Sequence, residues 1–185
     1  WRRIAGMNKD VDGIDSMYTL IQGMFQKNRL RDILRNFVFI PDSSKKNEKI
    51  VCRYPQYYAA RALYDNIKQA QKPYGNGKGG TYFGATGCGK SFTMLFLTRL
   101  LMKSEYFGSP TIILITDRTD LDDQLAGQFT NAKQYIGDNN IVSVESRDDL
   151  RKMLVESFSI RRYAFQEINR RVETQHTETW PRHEG

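Results

Sequence analysis

The stretch GATGCGKS, from Gly84 to Ser91, constrains this chain more than any other part of its sequence. Its glycines and its Lys-Ser pair match the phosphate-binding loop pattern G-x-x-x-x-G-K-[ST]. Glycine lets successive backbone N–H groups point into one concavity, and a helix beginning near Gly89 directs its positive dipole end there. The pattern predicts that Lys90 reaches the β- and γ-phosphates and that Ser91 provides a hydroxyl to Mg²⁺. An ordinary glycine-rich turn is the alternative.

The residues around this stretch favour a phosphate loop over an ordinary turn. Residues 80–83 read as a short strand, and residues 91–102 are helical in composition and apolar nearly all round. The β-branched run TIILIT (111–116) is typical of a strand covered on both faces, as in a parallel sheet. Strand, loop, helix and strand in this order form one crossover unit, which predicts an α/β fold.

Composition limits the classes of protein to which the chain can belong. Its 185 residues, 39% apolar and 12% aromatic, suffice for one packed domain with an appendage. No apolar run reaches membrane-spanning length, so we expect no membrane partner.

The start WRRIAGMNKDVDG lacks both a signal-peptide core and an initiator Met, which suggests a piece of a longer chain. Cys52 and Cys88 lack metal-ligand spacing, and a thiol within a phosphate loop suits the reducing cytoplasm.

Charge is distributed unevenly within the net value of +7. Residues 27–53 hold eight Lys or Arg against three Asp or Glu, and residues 117–150 hold eight Asp or Glu against three Lys or Arg. Basic clusters can follow a nucleic-acid backbone, but they can also be an ordinary solvated face. Charge alone leaves both readings open.

The chain divides into three predicted parts. Residues 1–48 read as a helical segment followed by a polar linker, because apolar residues recur there at helical spacing before PDSSKKNEK. Residues 49–158 contain the α/β pattern. Residues 159–185 read as a polar tail of unclear structure, with no sheet pattern.

Two further stretches carry candidate binding residues. In RYPQYYAARALYDNIKQA (53–70), a Pro opens a predicted helix and Gln56 stands in its first turn. A Gln amide can pair with the N6 and N7 edge of adenine, although a surface Gln on an amphipathic helix is the alternative. In DRTDLDDQLAGQF (117–129), Arg118 follows a predicted parallel strand at its carboxyl end, where open α/β sheets bind ligands. The Asp cluster there fits stabilisation of a helix dipole.

Taken together, RYPQ, TYFGATGCGKS and ILITDRTDLDDQL resemble the first motor lobe of superfamily-two helicase-like ATPases. They are most similar to the restriction (motor) subunit of type I restriction–modification enzymes, over roughly residues 17–156. The resemblance implies part of a RecA-like lobe with parallel strands, preceded by a helical linker segment. It implies ATP and Mg²⁺ as cofactors, and duplex DNA, modification subunits and specificity subunits as partners.

The resemblance also implies roles for individual residues. Lys90 and Ser91 become the candidate catalytic residues, with Ser91 as the Mg²⁺ ligand, and Arg118 and Gln124 become candidate DNA contacts. The residues assigned to nucleotide binding are Arg53, Gln56, Gly84, Ala85, Thr86, Gly87, Cys88, Gly89, Lys90 and Ser91.

Several parts of the family pattern are missing from the sequence. We find no Asp-Glu box after residue 149, no second lobe with its arginine finger, and no nuclease core. Pro41, Asp42, Glu48 and Lys49 only superficially imitate that core, because they lie in a polar linker. The expected function is the ATP-binding part of a DNA-translocating restriction motor, inactive in hydrolysis as this chain alone. The alternatives are another superfamily-two helicase or remodelling ATPase, and a non-catalytic nucleotide-gated assembly module.

Overall fold

The computed structural model describes residues 13–44, 48–108, 110–116, 119–137, 141–144, 146–156 and 163–167. Seven helices are found in this part of the chain: α1 (Ile14–Met24), α2 (Lys27–Asn36), α3 (Tyr54–Ala70), α4 (Lys90–Met102), α5 (Thr119–Thr130), α6 (Lys133–Ile136) and α7 (Arg147–Glu156). The strands described are β1 (Val38–Phe39), β2 (Ile50–Val51), β3 (Ile112–Thr116), β4 (Ile141–Val144) and β5 (Tyr163–Glu167). Helices and strands are therefore mixed along the chain, as predicted.

The strands form two separate sheets. β1 and β2 are an antiparallel pair in which Val38 lies opposite Val51. β3, β5 and β4 form a parallel sheet in that spatial order, with Ile112 and Ile141 both opposite Tyr163. Helices α5 and α6 connect β3 to β4, and α7 precedes β5, as parallel strands require crossover connections.

β5 lies within residues 159–185, where the sequence shows no clear sheet pattern. β5 pairs with both β3 and β4, so it is the middle strand of the three. Its sequence, YAFQE, is short and contains two polar residues. A five-residue segment of this kind has no unbroken apolar run. Its sequence therefore gives no strong indication that it pairs with two neighbouring strands.

Two predictions about the strands around the phosphate loop differ from what the described residues show. Residues 80–83 form no strand; Gly80 has φ 140°, and the side chain of Phe83 is almost fully exposed. The described residues cover β3 on one face only, since Ile112 and Leu114 pack against the core whereas Ile113 and Ile115 are exposed. An apolar run indicates a strand, but it does not say whether both faces find a covering layer within the chain.

One hydrophobic core joins the first predicted part of the chain to the second. Phe37, which follows α2, lies 5.3 Å from the ring of Phe96 in α4 and 4.8 Å from the ring of Tyr57 in α3. Phe39 in β1 stacks on Tyr135 in α6, with ring centroids 4.8 Å apart. Aromatic pairs at these separations add to the stabilisation from burial. The boundary predicted at residue 48 lies between β1 and β2, so side chains from both sides of it share this core.

Polar contacts fix α2 against α3 beside this core. The Asp32 carboxylate forms an ion pair with Arg61 and accepts hydrogen bonds from the Tyr57 hydroxyl (2.8 Å) and the Asn36 amide (2.8 Å). Since these groups are half-buried, the carboxylate is held by several donors at once. α3 is therefore attached to the segment that precedes it as well as to α4.

Ionisable groups near Asp32 make the free energy of unfolding vary with pH in the alkaline range. Burial, followed by the Asp32 charge, raises the pKa of the Cys52 thiol from 9.0 to about 12. Burial, followed by the hydrogen bond to Asp32, raises the pKa of Tyr57 from 10.0 to about 12. The folded state thus holds these protons more tightly than the unfolded state, so stability is complete below about pH 9 and falls as pH rises toward 12.

We expect urea unfolding free energies to decrease steadily between pH 9 and pH 11. Cys52→Ala should make that decrease shallower, because one of the groups whose pKa is raised in the folded state is then absent. Tyr74→Phe, at a fully exposed tyrosine, is the matched control and should leave the slope unchanged. A free energy of unfolding that stays constant over this range would contradict the assignment.

Candidate functional site

The glycine-rich stretch 84–89 forms a loop that leads directly into α4. Gly87 and Gly89 have φ values of 75° and 83°, in the left-handed region that glycine adopts without strain. Gly89 is the residue before the helix, and Lys90 is its first residue. The first-turn amide N–H groups of α4 have no carbonyl partner within the helix, so they remain available at the loop.

Two of the three glycines leave space for side chains that pack against the loop. A Cβ on Gly84 would lie 2.7 Å from the Cys88 sulfur, and a Cβ on Gly89 would lie 2.3 Å from Nε2 of Gln56. A Cβ on Gly87 would meet nothing within 4 Å. Gly84 and Gly89 therefore allow side chains to pack against the back of the loop, while Gly87 lies on its open side.

Lys90 lies across the loop that precedes it. Its ammonium donates hydrogen bonds to the carbonyl oxygens of Gly84 (2.9 Å) and Ala85 (3.1 Å). The Cys88 N–H also donates to the Ala85 carbonyl, at 3.2 Å, which closes the turn. The loop thus holds its lysine close to its own backbone, with one positive charge beside the first turn of α4. Ser91 follows within that first turn and is half-buried.

Gln56 contacts the loop from α3. Its side chain is 5% exposed, so it is a buried residue and not the surface Gln of the alternative reading. Its Oε1 accepts a hydrogen bond from the Arg53 N–H at 2.8 Å. Its Nε2 donates to the carbonyl oxygens of Gly89 (3.2 Å) and Cys88 (3.4 Å). In this arrangement both ends of the amide are used within the protein.

Tyr82 and Thr93 are site residues that the sequence did not single out. A Cβ on Gly84 would lie 3.2 Å from the Tyr82 hydroxyl, which places this hydroxyl behind the loop. Burial, followed by a hydrogen bond with the Cys88 thiol, raises the pKa of Tyr82. The Thr93 hydroxyl donates to the Gly89 carbonyl at 3.4 Å. The only available signal was their proximity in sequence to the loop, since neither residue type belongs to the loop pattern.

An apolar cavity of about 260 Å³ adjoins the loop between α3 and α4. Lys90 and Tyr82 line it together with Leu63, Ile67, Thr93 and Leu97. One charged group at the edge of an apolar cavity is the usual composition of a small-molecule site. The loop region therefore offers both a polar surface and an adjacent apolar one.

The remaining predicted site residues lie away from the loop or outside the described residues. Arg53 precedes α3 and is exposed, and its backbone N–H donates to the Gln56 side chain. Gln124 is exposed on α5. Arg118 lies outside the described residues. The structure thus brings Gln56 and the loop residues together. Contact of Arg118 and Gln124 with DNA stays a prediction.

The loop and the first turn of α4 offer donors of the kind that phosphate oxygens accept from. Amide N–H groups and an ammonium are the donors that phosphate oxygens accept from, and the positive end of a helix favours an anion. Among the described residues, no three His, Cys, Asp or Glu side chains gather as a metal site would require. Mg²⁺ binding through Ser91 therefore stays a prediction. In the same part of the chain, no helix has the length and apolar character to cross a membrane.

Comparison with known proteins agrees with this geometry. The SWI2/SNF2 ATPase family matches residues 55–183, a range that includes Gln56, the whole loop and α4. The chain belongs to the SWI2/SNF2 ATPase family. Arg53 lies just outside the matched range. As a member of this family the chain has the ATPase domain that the loop and its helix indicate.

Similar curated proteins confirm the resemblance to restriction subunits. The chain is 35% identical over 144 residues to the type I restriction enzyme HindI endonuclease subunit of Haemophilus influenzae, which covers 77% of this chain and 14% of that protein. It is 30% identical over 145 residues, 74% of this chain and 14% of the relative, to the putative MjaVIIIP endonuclease subunit of Methanocaldococcus jannaschii. The putative MjaIXP subunit of the same organism is 29% identical over 120 residues, 63% of this chain and 11% of the relative. The matched part of the chain thus spans 11–14% of the length of these relatives.

Proposed function

We propose that this chain binds ATP with Mg²⁺ at residues 84–91, as part of the motor of a type I restriction endonuclease subunit. The observation that carries the proposal is the position of Lys90 at the start of α4, beside a loop whose curvature depends on Gly87 and Gly89. Membership of the SWI2/SNF2 ATPase family supports ATP as the nucleotide. The names of the relatives favour a restriction subunit over another helicase or a remodelling enzyme.

The proposed fold is part of a RecA-like lobe with parallel strands. β3, β5 and β4 would belong to its sheet, and α4 would be the helix after the phosphate loop. The proposed parts remain residues 1–48, 49–158 and 159–185, with β5 contributing to the lobe from the last of them. α1 and α2 would form the helical segment that leads into the lobe, and Asp32 attaches that segment to α3.

Each proposed role at the phosphates follows from the chemistry of the residue. Lys90 would release the carbonyls of Gly84 and Ala85 and place its charge on the β- and γ-phosphate oxygens, since charge-assisted hydrogen bonds to phosphate are the stronger ones. The backbone of residues 84–89 and the first turn of α4 would donate N–H groups to the same phosphates. Mg²⁺ supplies charge neutralisation when it is bound, and the Ser91 hydroxyl is the group that would hold it.

In the whole protein, ATP hydrolysis would drive movement along duplex DNA before cleavage. Arg118 and Gln124 are proposed to lie near the DNA strand, and the modification and specificity subunits are the proposed protein partners in the cytoplasm. These proposals rest on the resemblance and on the relatives' names. We expect the chain alone to bind nucleotide without turning it over, because no acidic box or second lobe is recognisable in its sequence to position water and stabilise the developing charge.

A thermal melt with and without MgATP, run beside a phosphate-release assay with duplex DNA, tests this proposal. Ligand at a hundredfold excess over its dissociation constant should stabilise the chain by about 2.7 kcal/mol. Phosphate release should stay at the level without protein. An unchanged melting temperature would contradict nucleotide binding. Steady DNA-stimulated release, abolished by Lys90→Ala, would contradict the expectation that the chain alone is inactive.

Nucleotide preference tests the proposed role of Gln56. If the Gln56 amide turns from the loop carbonyls to the adenine edge, ATP should bind better than GTP by about 1–3 kcal/mol, by analogy with base reading in DNA. Gln56→Ala should reduce that difference, and it should weaken both nucleotides because the loop loses its contact with α3. Gln69→Ala, at an exposed position of the same helix, is the matched control. Equal affinity of the unmutated chain for ATP and GTP would contradict adenine recognition.

A further inference from the structure

A second cavity, which is polar, lies at the opposite end of α4 from the phosphate loop. Its volume is about 380 Å³, and Arg35, Arg61, Lys103, Tyr64, Ser104 and Glu105 are among the residues that line it. Lys103 follows the last residue of α4, whereas the loop precedes the first. Since this helix has thirteen residues, the two ends are about 20 Å apart at 1.5 Å per residue. The cavity is therefore distinct from the nucleotide site.

Positive charge at this cavity exceeds negative charge. Arg61 is paired with Asp32, which leaves Arg35 and Lys103 without an ion-pair partner among the described residues. Glu105 is the one carboxylate among the described residues that line the cavity. Unpaired cations that face a common space repel one another, and an anion placed between them relieves that repulsion.

Arg99 adds a further positive charge next to Arg35. Its guanidinium donates to the Arg35 carbonyl at 3.5 Å and lies 5.0 Å from the centroid of the Tyr135 ring. Burial lowers the pKa of Arg99, and the positive charge of Arg35 lowers it further. Its Nε is buried without a hydrogen-bond partner among the described residues. The protein therefore keeps a cluster of cations here that its own carboxylates only partly neutralise.

Hydroxyl groups complete the set of donors. The Tyr64 hydroxyl and the Ser104 hydroxyl lie 2.7 Å apart at the cavity wall, where either can donate. Lys103 passes over Gly137, where a Cβ would lie 2.5 Å from its Nζ, so this glycine leaves room for the lysine. Two exposed cations beside hydroxyl donors match a phosphate group, whose charge exceeds that of a single carboxylate.

We propose that this cavity binds a phosphate group, held chiefly by Arg35 and Lys103. The group would come either from the backbone of a nucleic acid or from a free phosphate compound. This site is independent of the proposed ATP site, because its residues lie at the other end of α4. Its occupation would place a second negative charge on the same helix that begins at the phosphate loop.

The test uses the full chain carrying Lys90→Ala, so that the phosphate loop contributes little to the signal. Inorganic pyrophosphate binding is measured by calorimetry, and binding of a 20-base-pair duplex is measured by fluorescence anisotropy from 50 to 200 mM salt. Arg35→Ala combined with Lys103→Ala should abolish pyrophosphate binding or reduce the slope of log affinity against log salt for the duplex by about 2. Lys72→Ala combined with Lys78→Ala removes two exposed charges elsewhere and is the matched control.

Each outcome has a defined meaning. If the cavity variant loses affinity for the duplex alone, the phosphate belongs to a nucleic-acid backbone. If it loses affinity for pyrophosphate alone, the ligand is a free phosphate compound. Loss of affinity for both probes supports a general phosphate site. Unchanged binding of both probes in the cavity variant, or the same loss in the control variant, overturns the proposal. A circular-dichroism melt of each variant shows that the fold is retained, and Arg35→Lys with Lys103→Arg should restore binding because charge is kept.

Discussion

Replacing Lys90 with alanine is expected to weaken MgATP binding by about ten- to a hundredfold or more. A hydrogen bond to a charged group contributes about 1.5–3 kcal/mol, and the lysine would make such bonds to two phosphates. In the part of the chain that the structure describes, this ammonium donates to the carbonyls of Gly84 and Ala85 and is half-buried. Its removal should therefore cost the fold little compared with its effect on the ligand. A titration with a fluorescent ATP analogue measures the loss.

Lys78→Ala is the matched control for this experiment. Lys78 is an exposed lysine in the segment between α3 and the loop, so its removal changes net charge equally without touching the site. Its variant should bind MgATP as the unmutated chain does. Equal affinities for the Lys90 variant and the unmutated chain would show that the loop takes no part in nucleotide binding.

Gly89→Ala should lower both stability and nucleotide affinity far more than Gly87→Ala. Both positions have positive φ, so an alanine at either costs about 1–2 kcal/mol. Only at Gly89 does the new Cβ meet the Gln56 amide, at 2.3 Å. Displacing that buried amide removes its contacts with the loop carbonyls, at about 1 kcal/mol each. We expect a total loss of about 3–4 kcal/mol at Gly89 and about 1–2 kcal/mol at Gly87.

The comparison of the two glycine variants separates backbone strain from the contact with α3. Urea unfolding of each variant gives the two free energies, and a titration with MgATP gives the two affinities. Combining Gly89→Ala with Gln56→Ala should recover part of the lost stability, since the clash is then absent. Equal losses at both glycines would contradict the packing of Gln56 against the loop.

Some features of this fold were predictable because their signals are local. The apolar run that includes Leu95, Phe96 and Leu100 predicted α4, which extends from Lys90 to Met102. The β-branched run at 111–116 predicted β3, which begins one residue later at Ile112. Pro55 predicted the start of α3, where it stands in the first turn. Each signal comes from residues that are neighbours in sequence, so the structure had few ways to override it.

Other features depended on partners distant in sequence. β5 has a position only because β3 and β4 lie on either side of it, and YAFQE alone does not indicate this. The run at 80–83 had the composition of a strand but pairs with none of the described strands. Leu34 belongs to the segment 1–48 whose apolar spacing predicted helix, yet its side chain in α2 is mostly exposed. Periodicity indicates which side chains can be buried, and long-range pairing decides which of them are.

The candidate site shows the same division. The phosphate loop was predictable because its pattern specifies conformation and chemistry within eight residues. The burial of Gln56 against that loop was not, because its contacts with Cys88 and Gly89 join residues more than thirty positions apart. The position of the Tyr82 hydroxyl behind Gly84 depended likewise on the curvature of the loop.

Hydrogen–deuterium exchange of the full chain, compared with and without MgATP, tests the location of the nucleotide site most directly. The amide N–H groups of residues 84–91 and the first turn of α4 would donate to the phosphates, so their exchange should slow when MgATP is present. The effect should be lost in Lys90→Ala and kept in Lys78→Ala. Slower exchange in other segments with no change at 84–91, or no change anywhere at saturating MgATP, would contradict ATP binding at this loop.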